Sequence, residues 1–142
     1  MTTFIYSILN KIGYSHPLHP AVVHFPIGMA MGASAFMLLV IFLKKTELAQ
    51  AAYYSHIFGL VTLIPTMLLG YMDWQHFYNG DPTPLIIAKI VLGFILMLLF
   101  IYGILLGRKG VNDYRKYLIV SLSCFIITIL IGFCGGELQY GS

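Results

Sequence analysis

Charge is what this sequence has least of. Asp, Glu, Lys and Arg make up 9% of its 142 residues, against roughly 25% in a soluble domain. So few charges cannot cover a globule with polar groups, which excludes a soluble fold and points to the lipid bilayer. Eight basic residues stand against five acidic ones, and none form a basic stripe outside short connecting stretches, so nucleic acid is excluded as a partner. The two cysteines, Cys124 and Cys134, share one uncharged run. On a helix they would stand roughly 15 Å apart, too far to bridge, and they read as packing residues. Residues 1–15 lack a basic start, and Lys11 interrupts their apolar pattern, so no cleavable signal peptide is expected. No Ser-His-Asp order, phosphate-cradling glycine loop or nucleotide fingerprint occurs, so any enzymatic chemistry would need a metal or haem to carry it.

What the chain has instead is apolar length: 59% hydrophobic residues and a mean hydropathy of +0.88. Four runs are long enough to cross a ~30 Å hydrocarbon core. They cover about 21–43, ending at Lys44-Lys45, and 48–72, bounded by Glu47 and Asp73. The third covers 85–107 and stops at Arg108-Lys109, and the fourth covers 117–136. Short connections predict an all-α membrane four-helix bundle, up-down-up-down, in a single domain of residues 1–142. Pro65 should kink the second span, because a neighbouring helix can satisfy the freed carbonyl. Ahead of the spans, Phe4, Ile5, Ile8, Leu9 and Ile12 keep helical spacing. Residues 3–13 therefore read as a short interfacial helix or as a packed cap on the bundle.

Between that helix and the first span lies the densest stretch of the chain, His16-Pro-Leu-His-Pro-Ala-Val-Val-His-Phe-Pro-Ile-Gly28. Proline disfavours helical geometry in the residue before it, so His16 and His19 should lie on extended chain. His24 should enter the first turn of a helix, with Pro26 tolerated near its start. Loop charge sets the orientation. Lys44, Lys45, Arg108, Lys109, Arg115 and Lys116 gather at one end, Lys11 and Lys89 at the other. The positive-inside rule puts the first end in the cytoplasm. Both termini then face outward, into the periplasm if the membrane is a bacterial inner membrane.

This topology brings His16, His19, His24, Asp73, Trp74, His76, Lys89, Glu137 and Tyr140 to one rim. Neutral imidazole is the commonest metal ligand, and two imidazoles on facing helices can ligate haem iron axially. His24 and His76 are the best-placed pair, with Asp73 or Glu137 able to orient a ring through its second nitrogen. His16, His19, His24, His76, Asp73 and Glu137 together are the candidate set for a divalent metal or copper, though their spacing matches no standard zinc signature. The bland alternative has these histidines capping helix ends and bonding loop carbonyls. Gly28 and Gly32 follow His24 by one and two turns, and could admit a flat cofactor or simply a neighbouring helix. Gly103 with Gly107, and Gly132 with Gly136, repeat the spacing. Lys89 is expected to form a structural ion pair with Asp73 or Glu137, with a proton or substrate path as second reading. His56 lies deep in the second span, bonded to a neighbouring helix or ligating haem with a partner such as Met37 or another chain. Trp74, Tyr71, Phe77, Tyr78 and Tyr140 fit an aromatic belt, and Gly135-Gly136 reads as a helix end.

The opening stretch, together with Gly70-Tyr-Met-Asp73-Trp74 and Gly135-Gly-Glu-Leu-Gln-Tyr-Gly141, resembles the signatures of a bacterial four-span family, domain of unknown function 2231. The likeness covers almost the whole chain. It differs from the usual pattern at Gln139, where valine is common, and Lys89 stands where other branches carry histidine. The resemblance implies a four-span topology, and through relatives joined to redox domains a respiratory setting. Two functions stay open. One is a haem b or metal protein passing electrons between the quinone pool and an outer acceptor. The other is a non-catalytic accessory or scaffold subunit of a membrane complex. For either, the expected partners are the bilayer and respiratory or other membrane-complex subunits, or a second copy. Small-solute or proton transport ranks last, because the spans offer few polar groups.

Overall fold

A computed structural model describes the backbone of residues 2–140 and the side chains of residues 5–138. All its elements are helices: α1 (Thr2–Lys11), α2 (His19–Val22), α3 (His24–Leu43), α4 (Leu48–Phe77), α5 (Pro84–Gly107) and α6 (Tyr114–Tyr140). The last four are long and apolar enough to cross a membrane. Each packs on the next, and α3 closes the ring against α6, which gives a four-helix bundle with short connections. Large apolar side chains such as Phe42, Phe58, Leu98 and Phe133 face outward, each more than half exposed. Helices that are apolar all round bury one face in the bundle and give the other to lipid.

The bundle interior is built of small residues and a few rings. Ala33, Met37, Val40, Ala49, Ala52 and Tyr117 form one buried cluster, and Ala30, Leu63, Leu96, Phe100 and Cys124 another. Polar side chains inside turn their hydroxyls onto helix carbonyls, as the lack of water requires. Ser34 on α3 donates both to Ala30 and across to the Ser121 carbonyl of α6, at 2.8 Å. Glycines on α4 and α5 make room for rings and long side chains from the facing helix. A Cβ on Gly59 would stand 2.5 Å from Phe100, and one on Gly107 would stand 2.5 Å from Tyr53. Gly93 meets Met67, and Gly103 receives the His56 ring. The Gly103 and Gly107 pair thus accommodates side chains, whereas a Cβ added at Gly28, Gly132 or Gly136 would meet nothing within 4 Å.

Three local expectations change. His19 does not lie on extended chain: it opens the four-residue helix α2, with Pro20 in that helix's first turn, where its missing N–H is no loss. The Gly135-Gly136 pair does not end α6, which continues through both to Tyr140. Glycine costs only about 1 kcal/mol inside a helix, less than leaving carbonyls unbonded near the apolar slab. Likewise α4 runs past Asp73 to Phe77, because that carboxylate turns into the structure and does not stop the helix. Gln139 and Tyr140 side chains, with Gly141, lie outside the described residues.

Candidate functional site

The end of the bundle carrying the His-Pro elbow is organised by Asp73, which is 6% exposed. Its Oδ1 accepts from the Tyr6 hydroxyl and from the Leu18 amide at 3.1 Å, and its Oδ2 accepts from the His19 amide at 2.8 Å. A carboxylate receiving the amides at the start of α2 satisfies donors that no earlier turn can bond. One side chain of α4 therefore holds α1 and the elbow together. The His19 ring completes the clasp, with Nδ1 2.9 Å from the Thr66 carbonyl of α4. Hydrogen bonding to a carbonyl fixes the proton on Nδ1. The ring reaches the α4 backbone because residue 70 is glycine; a Cβ there would lie 3.0 Å from Nδ1 and 3.3 Å from Cε1.

Every fixed letter of Gly70-x-x-Asp73-Trp74 then has a contact. Trp74 donates its indole N–H to the Asp81 carbonyl at 2.9 Å and ties down the α4–α5 connection. There Asn79 and Gly80 take positive φ, and Thr83 caps α5 by accepting from the Ile86 amide. Tyr6, only 2% exposed, lies flat on the His76 ring, centroids 4.1 Å apart and planes 10° from parallel, with Phe77 edge-on. Of the two readings for α1, this packing favours the cap. Burial, and next the hydrogen bond to Asp73, push the Tyr6 phenol well above the ordinary tyrosine range.

The other expected site residues are distributed as follows. His24 is exposed, with Nδ1 2.9 Å from the Pro20 carbonyl. His16 is exposed and edge-on to Tyr14, whose hydroxyl donates to the Pro17 carbonyl. His24 and His76 share neither a ring contact nor a hydrogen bond among the described residues. Lys89 lies in the same region, its ammonium 3.7 Å from where a Gly135 Cβ would stand. It is near enough to Asp73 and His19 to act on them electrostatically. Both Asp73 oxygens are already engaged, and Lys89 makes no ion pair with them among the described residues. Glu137 is exposed on α6. No three or more of the described His, Cys, Asp and Glu residues converge as a metal set.

His56 belongs elsewhere. Fully buried, it lies with Nδ1 2.9 Å from its own helix's Ala52 carbonyl and 3.5 Å from the Tyr117 hydroxyl of α6. Phe100 stands edge-on to it, Gly103 cradles the ring, and Nε2 meets no polar partner among the described residues. Thr66, Tyr6 and the spatial role of Gly70 escape a reading by motif. A backbone carbonyl leaves no trace in side-chain identity, and Tyr6 lies off the apolar stripe of α1.

No curated protein matches the chain, and no solved structure matches it. A family described as "Predicted membrane protein (DUF2231)" matches residues 15–142, from just before the first histidine of the elbow to the last residue. With its four span-length helices and all three signatures inside that match, the chain belongs to the DUF2231 family of membrane proteins.

Proposed function

We propose that this chain is a non-catalytic membrane scaffold or accessory subunit, whose His-Pro elbow is a rigid cap on the bundle. The observation that carries the reading is the engagement of Asp73 by Tyr6, Leu18 and His19. The carboxylate that could orient a metal-bound imidazole is consumed in holding the chain together, and His19 Nδ1 is turned onto Thr66. In this reading the loop charges set the protein in the inner membrane with both termini outside, which reporter fusions at each terminus test. His19→Ala and Asp73→Asn should lower the yield of folded protein while leaving its absorption spectrum and metal content unchanged. A Soret band or a stoichiometric metal in purified protein, lost in either variant, would overturn it.

One observation favours the second reading, a haem b or metal protein of membrane electron transfer. His24 is exposed and oriented through Nδ1 by the Pro20 carbonyl, the arrangement that fixes a ligating imidazole with Nε2 presented. Gly28, one turn on, has open space beside it. His76 stacks on Tyr6 and does not join His24, so the donors of one chain do not fit an axial pair. For haem the second axial ligand would then come from another chain, and His24 of a second copy is the donor this geometry offers. Chemical crosslinking in native membranes tests this second reading: the haem pair requires two copies joined along α3, and a chain that crosslinks to no second copy through α3 overturns it.

A further inference from the structure

Away from the elbow, the opposite end of the bundle carries six exposed basic side chains, Lys44, Lys45, Arg108, Lys109, Arg115 and Lys116, against two acidic ones, Glu47 and Asp113. None of the six makes an ion pair among the described residues. Lys116 instead places its ammonium 6.0 Å from the centre of the Tyr102 ring. Between the start of α4, the end of α5 and the connection that follows, a cleft of about 360 Å³ opens. Arg108 supplies its cation, and Thr46, Gln50, Tyr53 and Tyr114 supply hydroxyl and amide groups. Helix α4 begins at this cleft, its Leu48 and Ala49 amides bonded back onto the Lys45 and Thr46 carbonyls.

We propose that this cleft binds the phosphodiester headgroup of an anionic phospholipid. Three features favour that ligand. The cleft sits at the ends of two span-length helices, the depth at which headgroups lie. The end of the bundle around it is positive, and the Arg108 guanidinium in its lining matches two phosphate oxygens at once. Its polar lining meets exposed apolar faces of α4 and α5, including Tyr54, Phe58 and Tyr102, along which acyl chains can run. Glu47 also lines the cleft and is the one group that opposes an anion. The surrounding excess of cations decides the sign.

The test is native mass spectrometry on the full-length protein in detergent. It is titrated separately with dioleoyl phosphatidylglycerol, phosphatidylethanolamine, phosphatidylcholine and inorganic phosphate. Phosphatidylglycerol should be retained in preference to the two zwitterionic lipids. Arg108→Gln should weaken it about fivefold, the loss of one basic contact near a membrane surface. Lys11→Gln, at the other end, should leave it unchanged. If Arg108→Gln fails to fold, Arg108→Lys, which keeps the charge but loses the paired donors, gives the same reading at the cleft itself. Equal retention of all three lipids would overturn the proposal, as would unchanged binding in the Arg108 variants. Phosphate bound in place of phosphatidylglycerol would contradict the lipid assignment.

Discussion

The imidazole of His19 occupies the space that a side chain on residue 70 would need. A Cβ at Gly70 would lie 3.0 Å from Nδ1, and the ring is held there by its bond to the Thr66 carbonyl. Two signatures far apart in the chain are thus halves of one contact. For Gly70→Ala, two effects oppose each other. Crowding a packed site costs about 1–3 kcal/mol, and replacing a helical glycine returns up to about 1 kcal/mol. Crowding should win while the ring is in place, lowering Tm in detergent. In a His19→Ala background the same substitution should raise Tm. Equal effects in both backgrounds would show that the ring does not need the glycine.

A second cradle makes a parallel prediction inside the membrane. A methyl on Gly103 would overlap the His56 ring, which is fully buried between Phe100 and Tyr117. Gly103→Ala should therefore destabilise more than Gly70→Ala. A double-mutant cycle with His56→Ala should return a coupling of about 1–3 kcal/mol. Additive losses would contradict the packing.

The spans were legible because in lipid every backbone group must be bonded within its own helix. A run such as 85–107, interrupted by one lysine, has no other stable form. The elbow was legible as a special place but not as a bonding pattern. Proline spacing predicts extended chain at His19, and only the approach of Asp73 from α4 explains a helix start there. For the same reason the histidines looked like a ligand set. Sequence shows that imidazoles share a rim, whereas the rings' directions depend on carbonyls at Pro20 and Thr66. Gly135-Gly136 misled in the other direction, since local glycine preference yields to the need to bond the backbone of α6.

Tyr6 gives a pH dependence of known sign. Its phenol titrates higher in the folded protein than in the unfolded chain, because burial and the Asp73 carboxylate disfavour the phenolate. The stability this adds is fully present below the ordinary tyrosine pKa of about 10, and is lost as pH rises above it. Thermal unfolding followed between neutral and strongly alkaline pH should show a fall that is shallower in Tyr6→Phe. Superimposable slopes would place Tyr6 outside the clasp.

The most direct test concerns Asp73 itself. Hydrogen–deuterium exchange at the Leu18 and His19 amides should be slow in the parent protein, since both amides donate to a buried carboxylate. Asp73→Asn keeps the shape but loses charge-assisted bonds, about 1.5–3 kcal/mol at hydrogen bonds of this kind. Exchange at both amides should accelerate by more than tenfold, with α3 and α5 still protected. Rapid exchange at Leu18 and His19 in the parent, or no acceleration in Asp73→Asn, would mean that the elbow is not fastened to α4.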